Sequence, residues 1–202
     1  PLTVVALAPL TNIAVFLRMY PGLHAKIACI VSMGGTFRVP GNTSPTAEFN
    51  VRQDPEAAAI VLESGLPVTL YPLDPFRQVR FNRVEIASFL AADDVASQTA
   101  GRIMLQMCDY FPADSSLIGD AGTVAMVIDP EGATTERLPI TVDLAGDVNR
   151  GRTVFDERSQ KARSTHSHWW QTSQTEIDVV ASVDADRYRR LFAGTLGVQL
   201  TR

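Results

Sequence analysis

Apolar runs of strand length alternate along this chain with stretches of helical pattern. The first run, Leu2-Thr3-Val4-Val5-Ala6-Leu7, is rich in β-branched residues, as are strands that are buried on both faces. Strands are predicted at residues 3–7, 27–31, 68–71, 138–142, 152–155 and 177–183. Helices are predicted at residues 11–17, 55–65, 82–92, 95–111, 120–128 and 184–196. This alternation is typical of an α/β fold with an open, mainly parallel sheet and flanking helices.

Local signals support several of these boundaries. Asp54 is placed to cap a helix in which Pro55 occupies the first position and alanines follow. Asp129-Pro130 stops the helix at residues 120–128. The last strand, at 177–183, is expected at an edge of the sheet. Residues 157–174 are rich in Ser, Thr and Gln and predict a loop.

Composition narrows the class of protein. The 202 residues are 46% hydrophobic and 20% charged, and they show no internal repeat or linker, so a single domain over residues 1–202 is expected. A net charge of -4 argues against a nucleic-acid partner, and no apolar run is long enough to span a membrane. Cys29 and Cys108 lie in apolar surroundings typical of buried thiols. A cytoplasmic protein is expected. Because the chain enters a core strand at once, we expect it to be part of a longer protein.

Polar residues gather after the second predicted strand. Asn42, Glu48 and Asn50 lie in a long irregular stretch there, where open α/β sheets bind their ligands. A carboxylate with two carboxamides suits a polyhydroxylated ligand such as ribose, since these groups both accept and donate hydrogen bonds. The alternative is structural: Asn42 would serve a Gly-Asn turn, Glu48 would be solvated, and Asn50 would end a strand.

Several motifs occur together in a fixed order. Residues 41–58, GNTSPTAEFNVRQDPEAA, resemble the central motif of the inosine-uridine preferring nucleoside hydrolases. Residues 8–14, APLTNIA, are similar to that family's Gly-Pro-Leu-Thr-Asn-Ile-Ala. Met33-Gly34-Gly35, Leu73-Asp74, residues 150–156 (RGRTVFD) and residues 179–192 resemble further landmarks. A series of motifs is far more specific than any one of them.

The resemblance implies roles for individual residues. Asn42 and Glu48 match the groups that hold the ribose 5′-hydroxyl, and Asn50 matches the ligand of the lower ribose hydroxyls. Met33 matches a methionine that lies against the sugar. The implied reaction is hydrolysis of the N-glycosidic bond of a nucleoside through an oxocarbenium-like transition state. A homo-oligomer, either a dimer or a tetramer, is implied as well.

A calcium ion is implied as the cofactor. Leu7 matches a position whose main-chain carbonyl binds Ca2+, and Asp120 matches an aspartate that binds both the ion and the ribose. Calcium prefers oxygen ligands of this kind. The ion would position and acidify the attacking water.

Two features depart from the family's pattern. Residues 1–202 hold no Asp-x-Asp-x-Gly-x-Asp-Asp motif, which in the family supplies two calcium ligands and the general base. We therefore expect the catalytic base upstream, and residues 1–202 alone to be inactive. In addition, Gly119 stands where many members carry the histidine thought to protonate the leaving base. A polar cluster of two histidines and two tryptophans would either compensate for this loss or form a surface loop or an oligomer contact: His166, His168, Trp169 and Trp170.

Two other functions compete with hydrolysis. A hydrolase-like protein that binds ribose or nucleosides, or serves as a structural protein, without catalysis would explain the missing aspartates and Gly119. A dinucleotide-binding domain is weakly supported, since Gly34-Gly35 follows a strand without a Gly-x-Gly-x-x-Gly fingerprint.

Overall fold

The computed structural model describes residues 1–165 and 175–200, which form two compact units. The first unit comprises residues 1–74 and 135–181, and the second comprises residues 75–134 and 182–202. The strands are β1 (Leu2–Ala6), β2 (Ile27–Met33), β3 (Val68–Tyr71), β4 (Arg80–Asn82), β5 (Ser115–Leu117), β6 (Ala133–Val142), β7 (Thr153–Phe155) and β8 (Glu176–Val183). The α-helices are α1 (Thr11–Met19), α2 (Phe49–Gln53), α3 (Pro55–Leu62), α4 (Leu73–Phe76), α5 (Arg83–Leu90), α6 (Val95–Tyr110), α7 (Asp120–Ile128), α8 (Gln160–Thr165) and α9 (Ala185–Thr195).

The first unit is built on a six-stranded sheet with the order β1-β2-β3-β8-β6-β7. The pairs β1–β2, β2–β3 and β3–β8 are parallel, and β6–β7 is antiparallel. The mainly parallel sheet is thus confirmed. The prediction that the last strand lies at an edge was wrong, because β8 lies between β3 and β6. Its residues Ile177, Val179 and Val180 are fully buried, as expected of an interior strand.

Two helices bury their apolar sides in the core of this unit. Leu17 of α1 and Leu62 of α3 join the cluster that also holds Ile30 of β2 and Leu70 of β3. Fully burying a side chain of this size contributes about 1.5–3 kcal/mol. The start of α3 follows the predicted chemistry, since Asp54 Oδ1 accepts the Ala57 N–H at 3.0 Å.

The second unit has its own apolar core. Phe81 and Phe89 meet edge to face with ring centroids 5.3 Å apart, and Met104 and Cys108 of α6 lie in the same cluster. The predicted helix at 120–128 is confirmed as α7. The antiparallel pair β4–β5 was not predicted, because strands of three residues are too short to show a period.

Two further short helices also differ from expectation. Helix α2 begins after Glu48, whose side chain caps it although glutamate is not among the residues preferred at that position, and α8 replaces part of the loop predicted at 157–174. Residues 166–174 of that loop, including the His-Trp cluster, lie outside the described residues. None of the described helices combines the length and the apolar character that crossing a membrane requires. A single domain over residues 1–202 stays a prediction.

Candidate active site

The polar segment after β2 folds back to cap helix α2. The first N–H groups of a helix have no partner within the helix, so they need acceptors from elsewhere. Asn42 Oδ1 accepts the Phe49 N–H at 2.9 Å, and the two oxygens of Glu48 accept those of Asn50 at 2.8 Å and Val51 at 3.1 Å. The start of α2 is therefore stabilised by two of the predicted site residues.

Glu48 is buried, with 2% of its surface exposed. Besides the two α2 amides, its Oε2 accepts the N–H of Gly35 at 3.0 Å. Three backbone donors thus surround one carboxylate, which is how a buried acidic group avoids a large desolvation penalty. The alternative prediction of a solvated Glu48 was wrong. Asn50 lies within α2, so the accompanying prediction that it ends a strand was wrong too.

The loop that Glu48 contacts is held along its whole backbone. From Gly34 to Arg38, each of five consecutive amides donates to an acceptor. In order, the acceptors are Tyr71 O (3.1 Å), Glu48 Oε2 (3.0 Å), Thr153 Oγ1 (2.9 Å), Asp74 Oδ2 (2.9 Å) and Asp74 Oδ1 (2.8 Å). In the sequence, Asp74 and Thr153 stand out only as parts of the family motifs. The sequence carried no signal that they meet this loop.

Glycine is required at Gly35 of this loop and closely packed at Gly34. Gly35 has φ +74°, and a Cβ there would lie 2.9 Å from the side chain of Thr153. A Cβ on Gly34 would lie 3.2 Å from Glu48 Oε2 and 3.7 Å from Asn50 Cβ. The loop backbone therefore packs directly against the residues that form the candidate site.

One carboxamide of the site keeps a hydrogen-bond acceptor available, and the other keeps a donor. Asn50 Nδ2 donates to the carbonyl of Met33 at 3.2 Å and to its Sδ at 3.4 Å, which identifies the other terminal atom as the acceptor Oδ1. Asn42 uses its Oδ1 on Phe49, which leaves its Nδ2 as a donor. Among the described residues, neither Asn50 Oδ1 nor Asn42 Nδ2 has a hydrogen-bond partner. Such a pair of groups suits hydroxyls, which donate as well as accept.

Hydrogen bonds thus link four of the predicted site residues to one another or to the backbone of α2: Met33, Asn42, Glu48 and Asn50. Met33 is 3% exposed and ends β2. Leu7 follows β1 directly and is half-buried; because Ala6 is paired with Ser32, Leu7 and Met33 leave the sheet at the same edge. The structure therefore brings five of the six predicted site residues to one part of the first unit.

Asp120, the sixth, belongs to the second unit and begins α7. Its side chain is exposed, yet neighbouring protein atoms displace enough water to raise its pKa above the ordinary value. Gly119 precedes it with φ 54° and ψ -117°, a region open essentially to glycine alone. A Cβ on Gly119 would lie 2.9 Å from Cζ of Phe76.

The described residues include two of the oxygen donors expected for a calcium ion. Their donors are of the right type, since the Leu7 carbonyl and the Asp120 carboxylate are hard oxygen ligands. Their number is too small, because Ca2+ takes six to eight oxygens and the described part of the chain holds no group of three or more His, Cys, Asp or Glu that suits a metal. These residues alone do not make a complete calcium site.

The chain resembles known proteins in sequence. The sequence profile of the inosine-uridine preferring nucleoside hydrolases matches residues 1–190. The pyrimidine-specific ribonucleoside hydrolase RihA of Enterobacter sp. (strain 638) is 34% identical over 189 residues, covering 91% of this chain and 59% of that protein. RihA of Salmonella agona (strain SL483) is 37% identical over 161 residues, covering 77% of this chain and 51% of that protein. The chain thus spans between half and three fifths of these curated relatives.

Solved structures agree with the sequence comparison. An inosine-guanosine nucleoside hydrolase has a TM-score of 0.82 at 26% identity, covering 96% of this chain and 61% of its own. A purine-preferring ribonucleoside hydrolase from Gardnerella vaginalis has a TM-score of 0.78 at 29% identity, covering 94% and 58%. The expected fold is confirmed. From its motifs, its fold and these matches, the chain belongs to the inosine-uridine preferring nucleoside hydrolase family.

Proposed function

We propose that this protein takes part in hydrolysing the N-glycosidic bond of ribonucleosides, which releases ribose and the free base. The main support is the pair of carboxamides beside buried Glu48: Asn42 retains a donor and Asn50 an acceptor at the carboxyl edge of a parallel sheet. Ligands of open α/β sheets bind at that edge. The names of its relatives, all nucleoside or ribonucleoside hydrolases, support the same reaction class.

The proposed ribose contacts come from four side chains of the candidate site. Asn42 and Glu48 hold the 5′-hydroxyl, Asn50 Oδ1 accepts from the lower hydroxyls, and Met33 lies against the sugar. As the bond to the base lengthens, positive charge develops on the ribosyl ring. The carboxylate and the carboxamide oxygen, already held by their own hydrogen bonds, stabilise that charge without having to reorganise.

The proposed reaction uses a calcium ion to position and acidify the attacking water. Leu7 and Asp120 would supply two of the ion's oxygen ligands, and Asp120 would also contact the ribose. The remaining ligands and the general base would come from outside residues 1–202. Accordingly, this chain by itself is expected neither to hold Ca2+ tightly nor to turn over nucleosides. We also propose that the protein is cytoplasmic and forms a dimer or a tetramer.

The proposed substrate class is not restricted to one nucleobase. The relatives are named as pyrimidine-specific, purine-preferring and inosine-guanosine enzymes, so family membership does not select one base. The substrate class is therefore ribonucleosides in general, and a panel of bases is needed to narrow it.

The test is ribose release by the complete product of the gene that encodes residues 1–202. Inosine, guanosine, uridine and cytidine are each incubated with calcium or with a chelator, and reducing sugar is measured. We expect turnover of at least one nucleoside, and Asn50→Ala should lower kcat/KM by about 10²–10³-fold. Gln106→Ala, which removes an exposed carboxamide from α6, serves as the matched control. No turnover on any nucleoside, with binding retained in calorimetry, would instead favour a hydrolase-like binding protein.

A further inference from the structure

We propose that Asp74 is a positioning residue for the ribose site, and that it acts through the loop at residues 34–38. This inference rests on the proposed function for its effect on catalysis, but its structural part is independent of that function. Asp74 accepts hydrogen bonds from the loop backbone, whereas the loop donates to Glu48, which in turn caps Asn50.

Asp74 holds one end of the loop with both carboxylate oxygens. It follows β3 within α4 and is only 8% exposed. Its Oδ2 accepts the Phe37 N–H at 2.9 Å and its Oδ1 accepts the Arg38 N–H at 2.8 Å. Next to it, the Leu73 N–H donates to the Gly35 carbonyl at 3.0 Å. Residues 73–74 thus both accept hydrogen bonds from the loop and donate one to it, which fixes the position and the orientation of the loop.

The middle of the loop transmits this constraint. Thr153 Oγ1 accepts the Thr36 N–H at 2.9 Å and donates to the Thr36 carbonyl at 2.6 Å. Because these bonds lie between Phe37 and Gly35, the loop cannot bend there without losing them. A displacement at Phe37 is therefore carried to Gly35 instead of being absorbed.

The other end of the loop touches the site itself. Gly35 donates to Glu48 Oε2. At Gly34 there is little free space, because an added Cβ would lie 3.2 Å from the same oxygen and 3.3 Å from Val51 Cγ2. Glu48 in turn caps Asn50 and Val51. A shift of a few tenths of an ångström in the loop must consequently move Glu48 and the first turn of α2, which carries Asn50.

Amide hydrogen exchange on the complete gene product tests the structural part. Asp74→Ala should speed exchange at Phe37 and Arg38, which lose their acceptors, and also at Gly35, Asn50 and Val51, by at least about tenfold. Asp74→Asn keeps one acceptor oxygen and should show a smaller rise at the same amides, so it serves if the alanine variant does not fold. The control is Glu136→Gln, which alters the Glu136 partner of the Arg38 guanidinium and leaves the loop amides bonded. A rise confined to Phe37 and Arg38 overturns the inference.

Steady-state kinetics on the complete gene product test the catalytic part. At a temperature where each variant is fully folded, Asp74→Asn should lower kcat/KM by at least about tenfold, mainly through KM, while Glu136→Gln stays within about twofold. A purely structural Asp74 would lower Tm and leave kcat/KM of the folded enzyme unchanged, which contradicts the inference. If the unsubstituted protein turns over no nucleoside, the proposed function fails, and the exchange experiment still decides whether Asp74 positions Glu48 and Asn50.

Discussion

Glu48 and Gly35 are joined by a hydrogen bond of 3.0 Å from the backbone N–H of the glycine to the buried carboxylate, across 13 positions of sequence. The same carboxylate caps α2 through Asn50 and Val51. One side chain therefore connects the loop after β2 with the helix that carries Asn50. Its proposed contact with the ribose 5′-hydroxyl is additional to this structural role, and the two contributions are separable by experiment.

Removal of the Glu48 side chain should destabilise the chain strongly. Glu48→Ala leaves the N–H groups of Gly35, Asn50 and Val51 without their acceptor, so we expect a loss of about 3 kcal/mol in the free energy of unfolding. Urea unfolding followed by circular dichroism measures it. Glu63→Ala, at an exposed glutamate, is the control and should change stability by less than about 0.5 kcal/mol. Equal effects of the two substitutions would disprove the capping role.

The sugar contact of Glu48 is tested by removing the substrate group it is proposed to bind. The complete gene product and its Glu48→Gln variant are assayed on uridine and on 5′-deoxyuridine, which lacks the 5′-hydroxyl. Loss of the cap lowers kcat/KM on both substrates, whereas loss of the hydroxyl contact lowers it on uridine only. We expect the effect of Glu48→Gln to be at least about fivefold smaller on 5′-deoxyuridine. Identical losses would leave Glu48 with its structural role alone.

Gly35 and Gly65 form a matched pair for separating backbone strain from steric clash. Both have positive φ, at +74° and +77°, but a Cβ at Gly35 meets Thr153 at 2.9 Å whereas one at Gly65 meets nothing within 4 Å. Gly65→Ala should cost about 1 kcal/mol through φ strain, and Gly35→Ala about 2–4 kcal/mol because the clash is added. Thermal and urea unfolding of the two variants give the comparison. Equal costs would mean that the Thr153 contact yields easily.

Asp120 should make stability depend on pH. Partial desolvation by neighbouring protein atoms raises its pKa in the folded state, so the folded chain keeps this proton to a higher pH than the unfolded chain does. Its contribution is therefore most favourable below the ordinary aspartate pKa, and it is lost as pH rises through the raised folded pKa. Asp120→Asn should accordingly stabilise the chain at pH 7 and have little effect near pH 3, as judged by urea unfolding at both values. Destabilisation at pH 7 would show that the ionised carboxylate has a favourable partner.

Gly119 and Phe76 should be energetically coupled. Gly119→His places a Cβ 2.9 Å from Cζ of Phe76. It also puts a side chain on a residue whose φ and ψ disfavour any residue other than glycine. We expect it to cost about 2–3 kcal/mol in unfolding free energy. Combined with Phe76→Ala, it should cost less than the sum of the two single changes, since the ring no longer blocks the new side chain. Strict additivity in this cycle would contradict the predicted clash.

Much of the fold was predictable because its signals are local. The run Val68–Tyr71 and the helix Asp120–Ile128 occur where the apolar pattern places them. Asp54 caps α3 as its spacing from Pro55 and Ala57 indicates. The place of β8 was not predictable in this way. A short apolar strand has the same pattern at the edge and in the interior, and only the packing of other strands on both sides decides between them.

The residue types of the candidate site were also evident in the sequence, because a carboxylate between two carboxamides limits the chemistry to polar, hydroxyl-rich ligands and the surrounding motifs resemble one family. The tertiary structure decided which atoms of Asn42 and Asn50 remain available, because the Phe49 N–H donates to Asn42 Oδ1 and the Met33 carbonyl accepts from Asn50 Nδ2. It also decided that Thr153, 117 positions away from Thr36, and Asp74 hold the loop beneath Glu48. Short-range sequence patterns encode helix caps and buried faces. The partner of a loop amide is set only when distant segments are brought together by the sheet.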